Sequence, residues 1–342
     1  MGLNIQSIYS GISAQIKNFL LKSLPGMNNK VVDLDLSTKW AQNAQNARFE
    51  DTPGAVDKRS PVSYFNSTAI APAPMTGLYR YYTSGGADVG VGTCGTDAYV
   101  GNNANGTFTQ IRSTLTTGKR HQFVVYQDLL IGSNGFDPIW VYDGDTTANV
   151  TWQLGACKAV ASTTAGSMGT GQYSYSITTG TDTWVSGAVS NTVTTTSGAV
   201  SLSHIPLGPP GTTNRKIYRT TSGGTSLTLL ATISDNSTTT YLDTLADGTL
   251  GAALPSITDA MPRGTLLTLH RERLFISGDP SNPSYIYYSS TYLPHYIQQT
   301  TQLTFMQIAN DDGDTITGIS IQLGVMVCIK RNSIRILHIT SR

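Results

Sequence analysis

The chain has 342 residues, a formal net charge of +1 and only 13% charged residues, against 39% hydrophobic ones. A charge this close to zero argues against sequence-independent nucleic-acid binding as the main activity. A net charge near zero is still compatible with a local ring of basic residues. Tyr outnumbers Phe by 17 to 8, and Thr, Ser and Gly are abundant, which suits strands and the turns between them. The composition therefore predicts an ordered all-β protein.

The three cysteines, Cys94, Cys157 and Cys328, are far apart and odd in number. Their spacing fits neither a C-x-x-C metal site nor a disulfide framework, so we expect no metal and no cofactor. The longest apolar runs fall well short of the roughly 18 residues that a membrane-spanning helix needs. The sequence therefore predicts no membrane-spanning segment.

The first predicted element is a helix over residues 4–24, whose apolar residues follow a helical rather than an alternating spacing. Pro25-Gly26 ends it. Two interpretations stay open: the helix docks on a neighbouring subunit, or it caps its own domain. The candidate docking residues are Ile5, Ile8, Ile12, Ile16 and Phe19.

Residues 28–60 are mixed and polar, and they predict an extended arm. The arm leads into a stretch reading NARFEDTPGAVDKRSP at residues 46–61. This stretch resembles a segment that tailed-phage virion proteins carry near the N-terminus, ahead of a β-propeller. The resemblance implies a propeller downstream and a place in a virion. The matching residues are Asn46, Phe49, Gly54, Lys58 and Arg59.

The stretch 119–144 predicts three short strands, at 123–126, 129–132 and 139–142. Gln127-Asp128 forms the first turn, and a segment rich in Asn, Gly, Asp and Pro forms the second. Meandering antiparallel units of roughly 40–50 residues are typical of β-propeller blades. A blade needs neighbours to cover its faces, which is why such units repeat.

Related patterns return elsewhere in the chain. Residues 266–289 repeat the unit with Arg271-Glu272 as the first turn, and residues 319–339 repeat it more weakly. A further copy can be drawn over 77–100. Two flanks of this length provide about four blades. Three alternatives follow: the propeller is small or open, an N-terminal strand completes it, or another chain covers its edge.

Residues 157–255 have a different character, with about seven short strands in about 100 residues. This spacing favours an immunoglobulin-like or fibronectin-III-like sandwich inserted into the propeller. The RKIYRT run at 215–220 and the ISDNSTTTYLD run at 233–243 resemble such domains of phage structural proteins. We expect Tyr218 and Tyr241 to be buried there. The predicted domains are 1–60 (helix and docking arm), 61–156 (first propeller part), 157–255 (inserted sandwich) and 256–342 (second propeller part).

Paired carboxylates were considered because some propellers are glycosidases. The densest acidic cluster is Asp311-Asp312-Gly313-Asp314, which lacks the further ligands of a calcium loop and suits a turn between blades. His270, near Glu272, is compatible with a base held by a carboxylate, but a structural role at a strand end fits it better. We therefore predict no catalytic residue and no enzyme activity.

Two functions follow from the sequence. The first is a structural virion protein in the tail or neck of a tailed phage, a nozzle- or hub-like part assembled in the host cytoplasm. Its partners would be copies of itself in a symmetric ring such as a hexamer, neighbouring tail or portal and adaptor proteins, and DNA passing non-specifically through the lumen. The second is a glycan-binding or glycan-hydrolysing propeller protein, because the fold alone does not decide function.

Overall fold

The computed structural model describes residues 47–48, 57–58, 66 and 69–339, with gaps at 87, 103–104, 181, 197, 299–303 and 310–311. The chain divides into two units, Met1–Phe65 and Asn66–Arg342. In the first unit, strands β1 (Ala47–Arg48) and β2 (Asp57–Lys58) form an antiparallel pair. The predicted N-terminal helix, with all five of its candidate docking residues, lies outside the described residues.

The described part of the chain is all-β, and no α-helix occurs in it. The second unit begins with two four-stranded antiparallel sheets, in which each strand pairs with the next strand along the chain. We call them the first and second sheets. The first sheet consists of β3 (Met75–Tyr82), β4 (Asp88–Cys94), β5 (Asp97–Gly101) and β6 (Phe108–Arg112). The second consists of β7 (Gln122–Tyr126), β8 (Leu129–Ser133), β9 (Trp140–Tyr142) and β10 (Trp152–Gln153).

The 157–255 segment follows and forms three smaller antiparallel sheets with a core of their own. That core brings Leu202 together with Tyr175 and Ile217, which belong to a different sheet. Tyr218 is buried as predicted, whereas Tyr241 is half-buried at the edge of the core. The strands are β11 (Lys158–Ala161), β12 (Gly171–Tyr173), β13 (Tyr175–Thr179), β14 (Val193–Thr195), β15 (Val200–Ser203), β16 (Arg215–Thr220), β17 (Leu227–Ile233) and β18 (Tyr241–Asp243). They pair in the orders β11-β15-β18, β12-β14 and β13-β16-β17.

A buried ion pair crosses the core of the 157–255 segment. Arg219 on β16 donates from Nη1 to Asp243 Oδ2 at 2.7 Å, and both side chains are fully buried. Tyr175 donates its hydroxyl to the same carboxylate oxygen, and Arg219 Nη2 reaches Asp247. Buried charges are tolerated only when such partners surround them, so this network requires the strands to keep one arrangement.

Two further sheets complete the described chain. The third sheet has four strands and the fourth has three, and both repeat the simple meander of the first two. The third sheet consists of β19 (Leu266–His270), β20 (Arg273–Asp279), β21 (Asn282–Tyr288) and β22 (Phe305–Gln307). The fourth consists of β23 (Ile316–Gln322), β24 (Val325–Lys330) and β25 (Ile334–Leu337).

The same tight turn joins the first two strands in the second, third and fourth sheets. It contains two residues each time: Gln127-Asp128, Arg271-Glu272 and Leu323-Gly324. All six residues have positive φ, from 48° to 79°, as a type I′ turn requires. The two polar turns predicted from the sequence are therefore confirmed, although five of the six residues carry a side chain in left-handed backbone.

The four meander sheets stack face to face in chain order. Their first strands are neighbours: β3 lies beside β7, β7 beside β19, and β19 beside β23. The second and third sheets meet directly although the 157–255 segment separates them in sequence. Leu267 N donates to Gln122 Oε1 at 3.0 Å, and Ser133 Oγ donates to the Gly264 carbonyl at 2.6 Å.

Each junction between stacked sheets is an apolar core. In the second sheet, Leu130 and Trp140 face the first sheet, whereas Ile131 and Val141 face the third. Phe275 in the third sheet faces the fourth. Because successive residues of a strand point to opposite faces, a sheet covered on both sides needs apolar residues at consecutive positions. The continuous apolar runs of these strands follow from that requirement.

The 157–255 segment is fixed to the stacked sheets by polar and aromatic contacts. Lys158, which is almost fully buried, donates from Nζ to Asp143 at 2.6 Å and to Asp145 at 2.8 Å. Trp184 lies against the rings of His295 and Tyr296, at centroid distances of 6.0 and 5.3 Å. The segment is thus held at several points rather than by its two ends alone.

His295 at this junction makes the stability of the protein dependent on pH. Its Nε2 lies 2.8 Å from the Leu207 carbonyl, and burial lowers its pKa from 6.5 to about 4. The unfolded chain therefore binds a proton at a higher pH than the folded chain does. The neutral imidazole contributes stability above about pH 6.5, and that contribution is lost as the pH falls through about 4.

We expect the wild type to lose more stability than His295→Gln on acidification from pH 7 to pH 4, by roughly 2–3 kcal/mol. Gln keeps an amide donor for Leu207 but does not titrate. Urea denaturation at several pH values measures the difference, and comparison with the variant removes the contribution of every other titrating group. Parallel pH profiles would contradict the assignment.

Substitution of Leu323 can measure how much backbone strain the Leu323-Gly324 turn contains. The φ of Leu323 is 49° and its side chain is 95% exposed, so substitution changes backbone strain with little effect on packing. Asn-Gly is a preferred sequence for a type I′ turn. We expect Leu323→Asn to raise the free energy of unfolding by about 1 kcal/mol. The control Leu323→Ile places a β-branched residue at the same φ and should lower it, as measured by thermal unfolding.

Candidate functional site

The acidic cluster near Gly313 is a turn, in agreement with the interpretation from sequence. Asp312 accepts a hydrogen bond from Lys330 Nζ at 2.6 Å, and this contact is the main cause of the lowered pKa of Asp312. Asp314 accepts backbone N–H bonds from Arg331 at 3.1 Å and Asn332 at 2.8 Å. Asp311 lies outside the described residues. Both described carboxylates are thus engaged in holding the fourth sheet.

His270 and Glu272 belong to the hairpin between β19 and β20. The ring of His270 packs near Phe275, at a centroid distance of 6.4 Å, and burial lowers its pKa. Glu272 faces the second sheet, where burial together with this carboxylate raises the pKa of Tyr126 to about 12. The backbone oxygen of Glu272 accepts from Tyr292 N at 2.8 Å. The two side chains therefore face different neighbours.

Within the described ranges, no group of three or more His, Cys, Asp or Glu side chains is arranged to hold a metal ion. Cys94, Cys157 and Cys328 are all buried and free, and burial raises the pKa of Cys157 to about 12. A helix of the length and apolarity needed to cross a membrane is likewise not found in that part of the chain.

One end of the stack exposes an apolar surface on the first sheet. The side chains of β3 that do not face the second sheet include Leu78, 69% exposed, and Tyr82, 52% exposed. Arg80 lies between them on the same face and pairs with Gly90 on β4, where a Cβ atom would meet nothing within 4 Å. We call this surface the first-sheet face. It comprises Met75, Leu78, Tyr82, Gly90, Tyr99 and Phe108.

The other end of the stack exposes an apolar surface on the fourth sheet. Ile334 and Ile336 on β25 are 67% and 62% exposed, and Ile329, which pairs with Ile334 across the strands, is 40% exposed. Monomeric proteins rarely leave contiguous apolar surface of this kind uncovered. We call it the last-sheet face. It comprises Val325, Val327, Ile329, Ile334 and Ile336.

Neither face was named from the sequence, although an uncovered edge was expected. The Ile-Arg-Ile alternation of β25 suggests that Ile334 and Ile336 point inward and that Arg335 points to solvent. The register reverses this, because Arg335 pairs with Cys328, whose side chain faces the third sheet. Strand alternation identifies two faces of a sheet, but it does not tell which of them a neighbour covers.

No protein-family model and no curated protein matches this chain. Solved structures that align with it include the computationally designed Ika8 protein, 8% identical, covering 79% of this chain and 97% of that one, with a TM-score of 0.18. The N-terminal domain of Nup159 is 9% identical with 82% of each chain covered, and a chain of the mitotic checkpoint complex is 10% identical with 81% and 84% covered; both have a TM-score of 0.22. Scores this low carry no argument about fold or function.

The structural role of Asp312 can be tested against its buried partner. Lys330 is fully buried at its side chain, and its Nζ also donates to the carbonyl oxygens of Ile308 and Ala309. We expect Asp312→Ala to lower the free energy of unfolding, because a buried ammonium loses its counter-charge. In the Lys330→Met background the same change should cost much less. Equal costs in both backgrounds, measured by urea denaturation, would contradict the pairing.

Proposed function

We propose that the chain is a structural component of a tailed-phage virion that assembles as a ring in the tail or neck. The observation that carries the proposal is a stack of four meander sheets that ends in two open apolar faces. Such a body exposes apolar side chains where a neighbouring subunit would lie. The resemblance of residues 46–61 to a segment of phage virion proteins supplies the biological setting.

In this proposal the stacked sheets are blades of a β-propeller-like body that is open within the described chain. Adjacent first strands, tight turns at equivalent positions and apolar cores between neighbouring sheets support that interpretation. The 157–255 segment would be an inserted immunoglobulin-like or fibronectin-III-like sandwich. Its length, its antiparallel pairing and its separate core support this.

The proposed setting is the virion, with assembly in the host cytoplasm. The partners would be further copies of the chain in a symmetric ring, neighbouring tail proteins and portal or adaptor proteins. DNA in the lumen would be contacted without sequence specificity, because a net charge of +1 provides no strong electrostatic attraction. The N-terminal helix and arm would dock on the adjacent ring.

One observation favours the second candidate, a glycan-binding protein. A cavity of about 220 Å³ lies between the second sheet, the third sheet and the 157–255 segment, and Tyr126, Trp152 and Tyr292 contribute to its walls. Aromatic walls suit the apolar faces of sugars. Hydrolysis would also need two carboxylates placed across a bond. The nearby Asp143 and Asp145 are both bound to Lys158 instead.

The test is quantitative mass spectrometry of particles purified from the phage that encodes the chain. We expect its peptides at a fixed, multiple copy number relative to the major capsid protein. Absence from purified particles would overturn the proposal. Hydrolysis of a cell-wall or capsular glycan by the purified protein, lost in Glu272→Ala or Asp312→Ala without unfolding, would favour the second candidate.

A further inference from the structure

The packing of the four sheets follows one rule. The second and third sheets each bury both faces, and their neighbours cover them at three apolar junctions. The first and fourth sheets bury one face each, toward the stack. The first-sheet face and the last-sheet face are therefore the two sheet faces of the described stack that no neighbouring sheet covers. At the three junctions inside the stack, the neighbour of each sheet face is another meander sheet.

The two faces complement each other in shape. The last-sheet face presents β-branched side chains on adjacent strands, with Ile329 and Ile334 directly opposite each other. The first-sheet face has no side chain at Gly90, where an added Cβ would meet nothing within 4 Å, and Leu78, Arg80 and Tyr82 stand on the neighbouring strand. A ridge of isoleucine and valine on one face can thus enter an opening on the other, as apolar contacts between packed sheets require.

The charges are also compatible with contact. The five residues of the last-sheet face are all uncharged. On the outer side of the first sheet, Arg80 and Asp88 neutralise each other through a bidentate pair, with Nε–Oδ1 at 2.9 Å and Nη2–Oδ2 at 2.6 Å. Covering the first-sheet face would therefore bury a paired charge, which still has to be desolvated but costs less than an unpaired one.

One chain does not satisfy both faces by itself. Leu78 is 69% exposed and Ile334 is 67% exposed in the same molecule, so neither face covers the other. Pairing two last-sheet faces would set ridge against ridge and leave every first-sheet face open. If the first-sheet face of one copy packs on the last-sheet face of the next, each copy uses one face of each kind. When this contact is repeated, the two faces stay exposed only at the ends of an open chain of subunits.

We propose that the first-sheet face of one copy of this chain docks on the last-sheet face of the next copy. The contact is head-to-tail, and it continues the sheet stack from one subunit into the following one. Repeated around an axis, it closes a ring without free faces. This inference deepens the proposed ring-forming role and rests on it, and it names the surfaces by which the ring would form.

The test uses two full-length variants, each with one face disabled. Leu78→Asp places a charge on the first-sheet face, and the double variant Ile334→Asp, Ile336→Asp places charges on the last-sheet face. All three side chains are more than 60% exposed, so the isolated subunit should keep its fold. Circular dichroism and thermal unfolding check this, and Tyr82→Asp replaces Leu78→Asp if that variant unfolds. Leu323→Asp, on an exposed turn, is the matched control.

Molar mass is then measured by sedimentation over a concentration series. We expect the wild type and Leu323→Asp to form the same oligomer, and each face variant alone to be a monomer. An equimolar mixture of the two face variants should form a dimer and nothing larger, because one intact face of each kind remains in the pair. Only a head-to-tail contact predicts this pattern.

Other patterns overturn the inference. Association of the Leu78→Asp variant alone would indicate pairing between two last-sheet faces. Continued association of both variants would assign the contact to another surface, for example residues 1–65, and a monomeric wild type would exclude docking between copies. The proposed function fails separately, if the protein is absent from purified particles. A protein present in particles but associating through another surface would retain the function and lose the docking.

Discussion

The covering of both faces of the second and third sheets is the constraint on which the rest of this structure depends. Leu130 and Ile131 are neighbours in sequence and both are fully buried, yet they belong to cores on opposite sides of one sheet. Burial is worth roughly 25 cal/mol per Å² of apolar surface, so a sheet of this kind is unstable with either face in water. Each sheet therefore depends on the next, and the stack has to be considered as a whole.

The 157–255 segment separates the second and third sheets in the sequence, but the two sheets still pack directly against each other. It supplies its own core and its own buried Arg219–Asp243 pair. Trp184 and Ala188 of the segment pack in addition against apolar residues of the stacked part. The sheets on either side of it in sequence are in direct contact. Lys158, buried at the border and bound to two aspartates, then fixes the orientation of the segment. Separate cores joined by polar and aromatic contacts explain how a long segment fits here.

The sequence predicted the all-β class, the strands of the second and third sheets, and the tight turns at Gln127-Asp128 and Arg271-Glu272, because these depend on local residue preference. It did not predict the buried charges. Lys330 and Asp312 are 18 residues apart, and Arg219 and Asp243 are 24 apart, so no local pattern connects them. The open faces were missed for a related reason, since alternation such as Ile334-Arg335-Ile336 does not reveal which side has a neighbour. The assignments of a β-propeller and of an immunoglobulin-like or fibronectin-III-like sandwich stay predictions.

The tight turns divide the surface into two rims with different freedom to vary. Asp128 binds Ser84 of the first sheet, and Glu272 lies near Tyr126 of the second, so the turns between first and second strands share one rim. In the second, third and fourth sheets these turns have two residues each, all in left-handed backbone. On the opposite rim, where Phe136 and Pro280 line a common cavity, the turn between β8 and β9 covers residues 134–139 and the turn between β20 and β21 covers only 280–281. New loops and recognition surfaces can accumulate on that second rim while the first keeps the spacing of the sheets constant.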